Sequence, residues 1–282
     1  MKTRFLLFAA TLCCIFLTQK MDAQVTSVNY RLKYNPDSCR YEAYVVINSG
    51  TATTAAQRTQ FNSQFTIVVP QADSIVLDSV TSYAPYQNNT VAGSSTTPME
   101  WNITTKLRAP GASPSNRFYS ITPNLSPASR YGTALKPTLQ PGDEILLFTF
   151  KVSSISTCGS GIRIWENGSD PQSDQSGMQN SDFSNGFTLG GISQLYNANS
   201  TQLHPPAPVL TSLTTSCAGG IEIDLTDSTK TCQLPLTYSW VGPGGYTATT
   251  QDISRPTATV ADQGLYSVTV TDAYGCTATN SI

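Results

Sequence analysis

The sequence predicts an all-β protein built from two consecutive units, a larger N-terminal β-sandwich or jelly roll and a smaller C-terminal sandwich. Three observations carry this. Apolar side chains recur at every second position in short runs, as in Leu146, Phe148, Phe150 and Val152, which marks strands with one buried face. Turn chemistry separates the runs, such as Asn48-Ser49-Gly50 and Pro141-Gly142-Asp143. Helical periodicity is nearly absent, and only Thr54 to Gln60 suggests one short turn. A length of 282 residues accommodates two domains, each with its own core. Charged residues make up 12% of the chain and the net charge is −2, so no basic footprint for nucleic acid and no polybasic membrane patch is present.

Residues 1–24 have the layout of a secretory signal peptide. Lys2 and Arg4 precede an apolar run from Phe5 to Leu17, and a short polar stretch ends at Asp22-Ala23-Gln24. The run is shorter than the roughly 20 residues that a bilayer-spanning helix needs. Cys13 and Cys14 lie inside it, but Thr11-Leu12 is a poor context for lipidation, so cleavage near Ala23 is expected. The exported chain carries no transmembrane segment, and its cysteines meet an oxidising compartment.

Residues 25–199 form the first domain. Strands are predicted at Ser27 to Tyr34, Tyr41 to Ile47, Phe61 to Val69, Ser74 to Thr81, Met99 to Leu107, Arg117 to Ile121, Glu144 to Val152, Gly161 to Trp165 and Gly186 to Leu195. Strands at this spacing fit a sandwich or jelly roll with long loops at one end. The run Pro141-Gly-Asp-Glu-Ile-Leu-Leu-Phe-Thr-Phe-Lys-Val152 resembles one strand of cohesin-like domains, where a Gly-Asp turn precedes a buried Phe-bearing strand. Residues 200–209 follow as a Pro-rich linker. Prolines cannot join a sheet ladder and favour extended geometry, so the linker is semi-rigid and suits a stalk.

Residues 210–282 are the second domain. Tyr238-Ser-Trp240 is followed by a Gly-Pro-Gly-Gly turn, then by Asp262-Gln-Gly264-Leu-Tyr266 and the alternating strand Tyr266-Ser-Val268-Thr-Val270. Ile221, Ile223 and Leu225 alternate with Glu222, Asp224 and Thr226 on an earlier strand. This order resembles the centre of an immunoglobulin-like sandwich, with a Trp on a middle strand and a tyrosine corner two residues before the second core cysteine; here that position is Val268. The segment also resembles the tandem immunoglobulin-like or PKD-like repeats of large surface proteins and gliding adhesins of the Bacteroidota. That resemblance implies a spacer or adhesive module. Only Thr277 to Ile282 remain for the last strand, which is therefore expected to be short and truncated, in a protein that continues.

Strand order predicts which cysteines meet. In the second sandwich the loop holding Cys232 and the turn holding Cys276 fall at one end, so the expected disulfides are Cys232 with Cys276 and, in the first domain, Cys39 with Cys158. Each would contribute about 2–4 kcal/mol. Cys217 is left over and has three open fates: a free buried thiol, a bond to Cys276 instead, or an intermolecular bond.

The one histidine, His204, lies in the Pro-rich linker, so Ser-His-Asp and Cys-His catalysis are not expected. No phosphate loop, dinucleotide fingerprint or zinc spacing occurs. Glu100, Glu144 and Glu166 are candidates for a hydrolytic carboxylate pair, but they read as solvated strand-end charges and favour no enzyme. Two binding features stand out. Asp170, Asp174 and Asp182, with Asn167 and Asn180, make the loop from Glu166 to Asn185 an oxygen-rich candidate for calcium, the one cofactor considered; none is required. Trp101 and Trp165, with Tyr83, Tyr86, Tyr131 and Tyr196, are candidate glycan-stacking rings. Asp73-Ser74-Ile and Asp78-Ser79-Val are similar to the Asp-Ser-aliphatic sites that Bacteroidota O-glycosylate on exported proteins. The expected function is a secreted cell-surface adhesin or structural part of an extracellular filament, with another surface protein, a glycan or self-assembly as partner. The rival is a carbohydrate-binding module of a larger secreted enzyme.

Overall fold

The computed structural model describes residues 24–73, 75–82, 100–124, 133–134, 137–152, 158–159, 161–200, 213–216, 223–227 and 234–282. The segment up to residue 23 where a signal peptide is expected, residues 201–209 of the expected linker with His204, Cys217, Cys232, Ser74, Tyr83, Tyr86 and Tyr131 lie outside the described residues.

The first domain contains β1 (Ser27–Asn35), β2 (Arg40–Ser49), β3 (Thr59–Pro70), β4 (Ile75–Ser82), β5 (Glu100–Arg108), β6 (Asn116–Asn124), β7 (Thr133–Ala134), β8 (Glu144–Val152), β9 (Arg163–Ile164), β10 (Gly186–Leu189) and β11 (Tyr196–Asn199). One sheet runs β11-β1-β2-β8-β4; the other runs β10-β3-β6-β5, with β7 and β9 also paired to β3. β11 joins β1 in parallel, a pairing that the sequence does not announce. The strand expected from Gly186 to Leu195 ends at Leu189, because Gly190 and Gly191 (φ 59° and 81°) turn the chain. Thr54 to Arg58 makes the single turn expected there, with the Arg58 amide bonded to the carbonyls of Thr54 and Ala55.

Period-two patterning sends Tyr30, Leu32, Val45, Phe148 and Phe150 from one sheet against Phe65, Ile67, Val69 and Ile121 from the other. Tyr30 is the centre of this core. It stacks on Phe65 at 4.5 Å, meets Phe187 edge-on at 6.2 Å, and donates its hydroxyl proton to the Gly186 carbonyl at 2.7 Å. That hydrogen bond is what allows a fully buried phenol.

The second domain contains β12 (Leu213–Ser216), β13 (Ile223–Asp227), β14 (Thr237–Gly242), β15 (Tyr246–Ala248), β16 (Ile253–Arg255), β17 (Ser267–Thr271) and β18 (Thr277–Ser281). They form sheets β12-β13-β16 and β15-β14-β17-β18. Trp240 is fully buried opposite Val268, and its indole nitrogen donates to the Thr250 carbonyl at 2.9 Å. Tyr266 donates to the Asp262 carbonyl at 2.9 Å, the geometry of a tyrosine corner. Gly242 is required beside it: a methyl group there would stand 2.6 Å from the Tyr266 ring. The closing strand, expected to be truncated, pairs with β17 from Thr277 to Ser281, and Tyr266 and Ile282 extend the ladder.

Two predictions follow from these packed phenols. Tyr266→Phe removes the corner bond and should cost about 1–2 kcal/mol, measured as a shifted denaturant midpoint of the second domain. Burial raises the pKa of Tyr30 and Tyr41 above the ordinary phenol value. The neutral forms are favoured in the fold, so their contribution is complete below about pH 10 and is lost as pH rises beyond it. Alkaline titration of tyrosinate absorbance should show these two phenols ionising only as the first domain unfolds.

Candidate functional site

The oxygen-rich loop from Glu166 to Asn185 is an ordered flap over the outer face of the second sheet. β9 and β10 lie along one edge of β3 as a single interrupted strand, with Ile164 opposite Ile67 and Gly186 opposite Gln64; residues 166–185 leave and return at the interruption. Asn185 bridges the gap with its side chain. The Thr66 amide donates to its Oδ1 at 2.8 Å, and its Nδ2 donates to the Trp165 carbonyl at 2.7 Å. Asn167 closes the base of the flap, donating to the Asn185 carbonyl at 2.9 Å and accepting from the Asn185 amide at 2.8 Å. Met178 and Phe183 then cover Trp165, Phe118, Val68 and Leu107 as a second, outer apolar cluster.

The loop's carboxylates do not converge in this arrangement. Asp170 accepts both Arg163 guanidinium nitrogens at 2.6 Å and the Glu166 amide at 2.7 Å, so its charge is balanced and its oxygens are engaged. The same bonds raise the Arg163 pKa further. Asp182 accepts the Ser184 amide at 2.8 Å, and Asp174 is exposed. Among the described residues no three His, Cys, Asp or Glu side chains come together as metal ligands.

The glycan-stacking expectation is corrected for both tryptophans. Trp101 is 4% exposed and packs on Phe148 at 5.0 Å; Trp165 is 1% exposed and meets Phe118 edge-on at 4.9 Å. Neither ring offers a face to a sugar, because β5 turns Trp101, and the residue after β9 turns Trp165, into apolar clusters. Tyr196 leans on Tyr30 at 5.1 Å. Glu144 pairs with Arg31 and Lys33 on the first sheet, whereas Glu100 lies on β5 and Glu166 in the flap, both exposed. Ser79 lies within β4.

The expected cysteine pairing is also corrected. Cys158 bonds Cys276, with their Cα atoms 5.6 Å apart, so the disulfide joins the first domain to the second. Cys39 is disulfide-bonded too, and since each sulfur makes one such bond its partner is not Cys158 and lies outside the described residues. The pairs Cys39 with Cys158 and Cys232 with Cys276 therefore do not form, nor does Cys217 with Cys276. Counting which end of its own sandwich a cysteine occupies takes no account of the neighbouring domain's end. Cys276 is presented by a tight turn in which Asp272 Oδ1 accepts the Tyr274 and Cys276 amides, each at 2.9 Å. No helix among the described residues is long and apolar enough to cross a membrane.

Phe183→Ala should loosen the flap by about 3–5 kcal/mol and accelerate limited proteolysis between residues 170 and 182. An unchanged cleavage rate would show that polar bonds alone hold it. No protein-family model matches the chain, and no curated protein matches it.

Proposed function

We propose that the chain is a secreted, surface-associated protein, structural or adhesive and not catalytic, in which two sandwiches are fastened into one stiff unit of an extracellular assembly. The observation that carries this is the Cys158–Cys276 disulfide across the two domains. Disulfides persist in oxidising compartments, in keeping with the signal-like residues 1–24. A bond closing a loop of 118 residues removes about 5 kcal/mol of unfolded-state entropy and, beyond that, fixes one domain against the other. Stiffness between modules is of use to a stalk or filament and of little use to a domain that only has to fold. The likeness of residues 210–282 to surface-protein repeats points the same way, with self-assembly, another surface protein or a glycan as partner.

Peptide mapping without reduction should return a Cys158–Cys276 cross-linked peptide. Cys158→Ser with Cys276→Ser should broaden the small-angle scattering profile toward two independently moving domains and lower the melting temperature. Light scattering after size exclusion, with and without reducing agent, tests assembly: discrete large species support a structural subunit, and a monomer under every condition removes self-assembly.

A further inference from the structure

An opening lies on the outer face of the second sheet, just beyond the edge of the flap. Positions 64, 66 and 68 of β3 point away from the core. The flap's apolar cluster covers Val68, and Thr66 and Ser120 are buried as well. At Gln64 the cover ends, and a cleft of about 370 Å³ opens, lined by Asn62, Gln64, Thr122, Gly186, Thr188 and Gln194 among others. Its volume is at the small end of the range for ligand sites. None of its lining residues is charged, and its one aromatic residue, Phe187, turns its ring into the core.

Three features mark the cleft as more than a surface dip. Gln64 donates through Nε2 to the Asp182 carbonyl at 3.0 Å and the Ser184 carbonyl at 2.9 Å, so the flap fixes the amide and leaves its oxygen as an oriented acceptor. Gln194 holds a left-handed backbone at φ 63°; the chain places glycine at the two other such positions of this turn, Gly190 and Gly191, but a side chain at the one that lines the cleft. Strained non-glycine backbone is often found at ligand sites. Gly186 is not required by crowding or by backbone angle, since a methyl group added there would meet nothing within 4 Å. Gly186 opens β10 directly after the flap, and its lack of a side chain keeps the cleft open.

From these we infer that the cleft binds a neutral saccharide, a single residue or short end of a glycan, through hydrogen bonds from side-chain amides and hydroxyls. Amides and hydroxyls each both donate and accept, as sugar hydroxyls do, and an uncharged lining selects an uncharged ligand. A peptide added as a strand needs an open sheet edge. The cleft instead lies on a sheet face, where β10 pairs with β3 and β3 with β6. The inference rests on the adhesive part of the reading above and gives it a ligand class.

The test is NMR titration of the full chain with a panel of neutral oligosaccharides based on glucose, mannose, galactose and N-acetylglucosamine. At least one should shift the side-chain amide signals of Asn62, Gln64 and Gln194. Gly186→Val fills the cleft with a residue that suits a strand better, and the Tyr30 bond to the Gly186 carbonyl survives it. It should keep or raise the melting temperature and abolish the shifts. Asn62→Ala and Gln194→Ala should each weaken binding about tenfold, which keeps the test decisive if Gly186→Val fails to fold. No shift with any saccharide, shifts that persist in a folded Gly186→Val, or shifts from a peptide panel alone would overturn the assignment. Loss of saccharide binding with intact assembly would remove the site and leave the surface-structural reading standing.

Discussion

Strand β3 is the constraint on which the first domain depends. It is paired on both edges, by β10 and β9 on one and by β6 and β7 on the other. A strand so enclosed has no edge to expose, and its two faces decide the layers around it. Phe65, Ile67 and Val69 fill the core, while Thr66 and Val68 are buried on the opposite side. The run from Phe65 to Val69 is therefore buried continuously, although antiparallel strands with one wet face alternate. A third layer must cover the outer side, and the flap supplies it.

The flap is an acidic, amide-rich segment held by its own polar and apolar contacts. Its polar residues stand in for missing sheet partners: Asn185 continues the ladder, Asn167 closes the neck, and Asp170 neutralises Arg163 while accepting the first amide of the loop. Its apolar residues provide the anchoring. Met178 and Phe183 are buried against Trp165, so opening the flap would expose a large apolar surface. Where those anchors stop, the sheet is left uncovered with mostly polar, uncharged residues lining it, and the boundary between anchored and open surface defines the cleft.

Most strands were legible in the sequence because each carries its own signal, an alternation of apolar residues between turn formers. Trp240 and Tyr266 were legible for the same reason, their neighbours in sequence being their neighbours in the corner. The flap was not legible as a covering layer. Met178 and Phe183 stand singly among polar residues with no period, and carboxylates counted along a sequence do not reveal that Asp170 faces Arg163. Trp101 and Trp165 were misplaced because a ring near a strand end reads the same whether a loop covers it or not. The parallel strand Tyr196–Asn199 carries too little apolar character to announce itself. The one further signal present was Gly186, a glycine that opens a strand where neither backbone angle nor crowding requires one.

The cysteines show the limit of local inference most clearly. Cys158 and Cys276 are separated by 118 residues, and nothing near either one encodes the other. What the sequence does encode is how each is presented. Cys158 takes a left-handed backbone at φ 50°, followed by Gly159 at φ 73°, and Asp272 draws the turn before Cys276 tight with two amide bonds. Once joined, the two turns make a covalent path that bypasses every residue between them. That path leaves out the Trp240 and Tyr266 core but runs directly into β18, which begins at Thr277. A linker alone would set distance between the domains. The disulfide adds a second covalent tie, with Cα atoms 5.6 Å apart, that limits how far the two can separate.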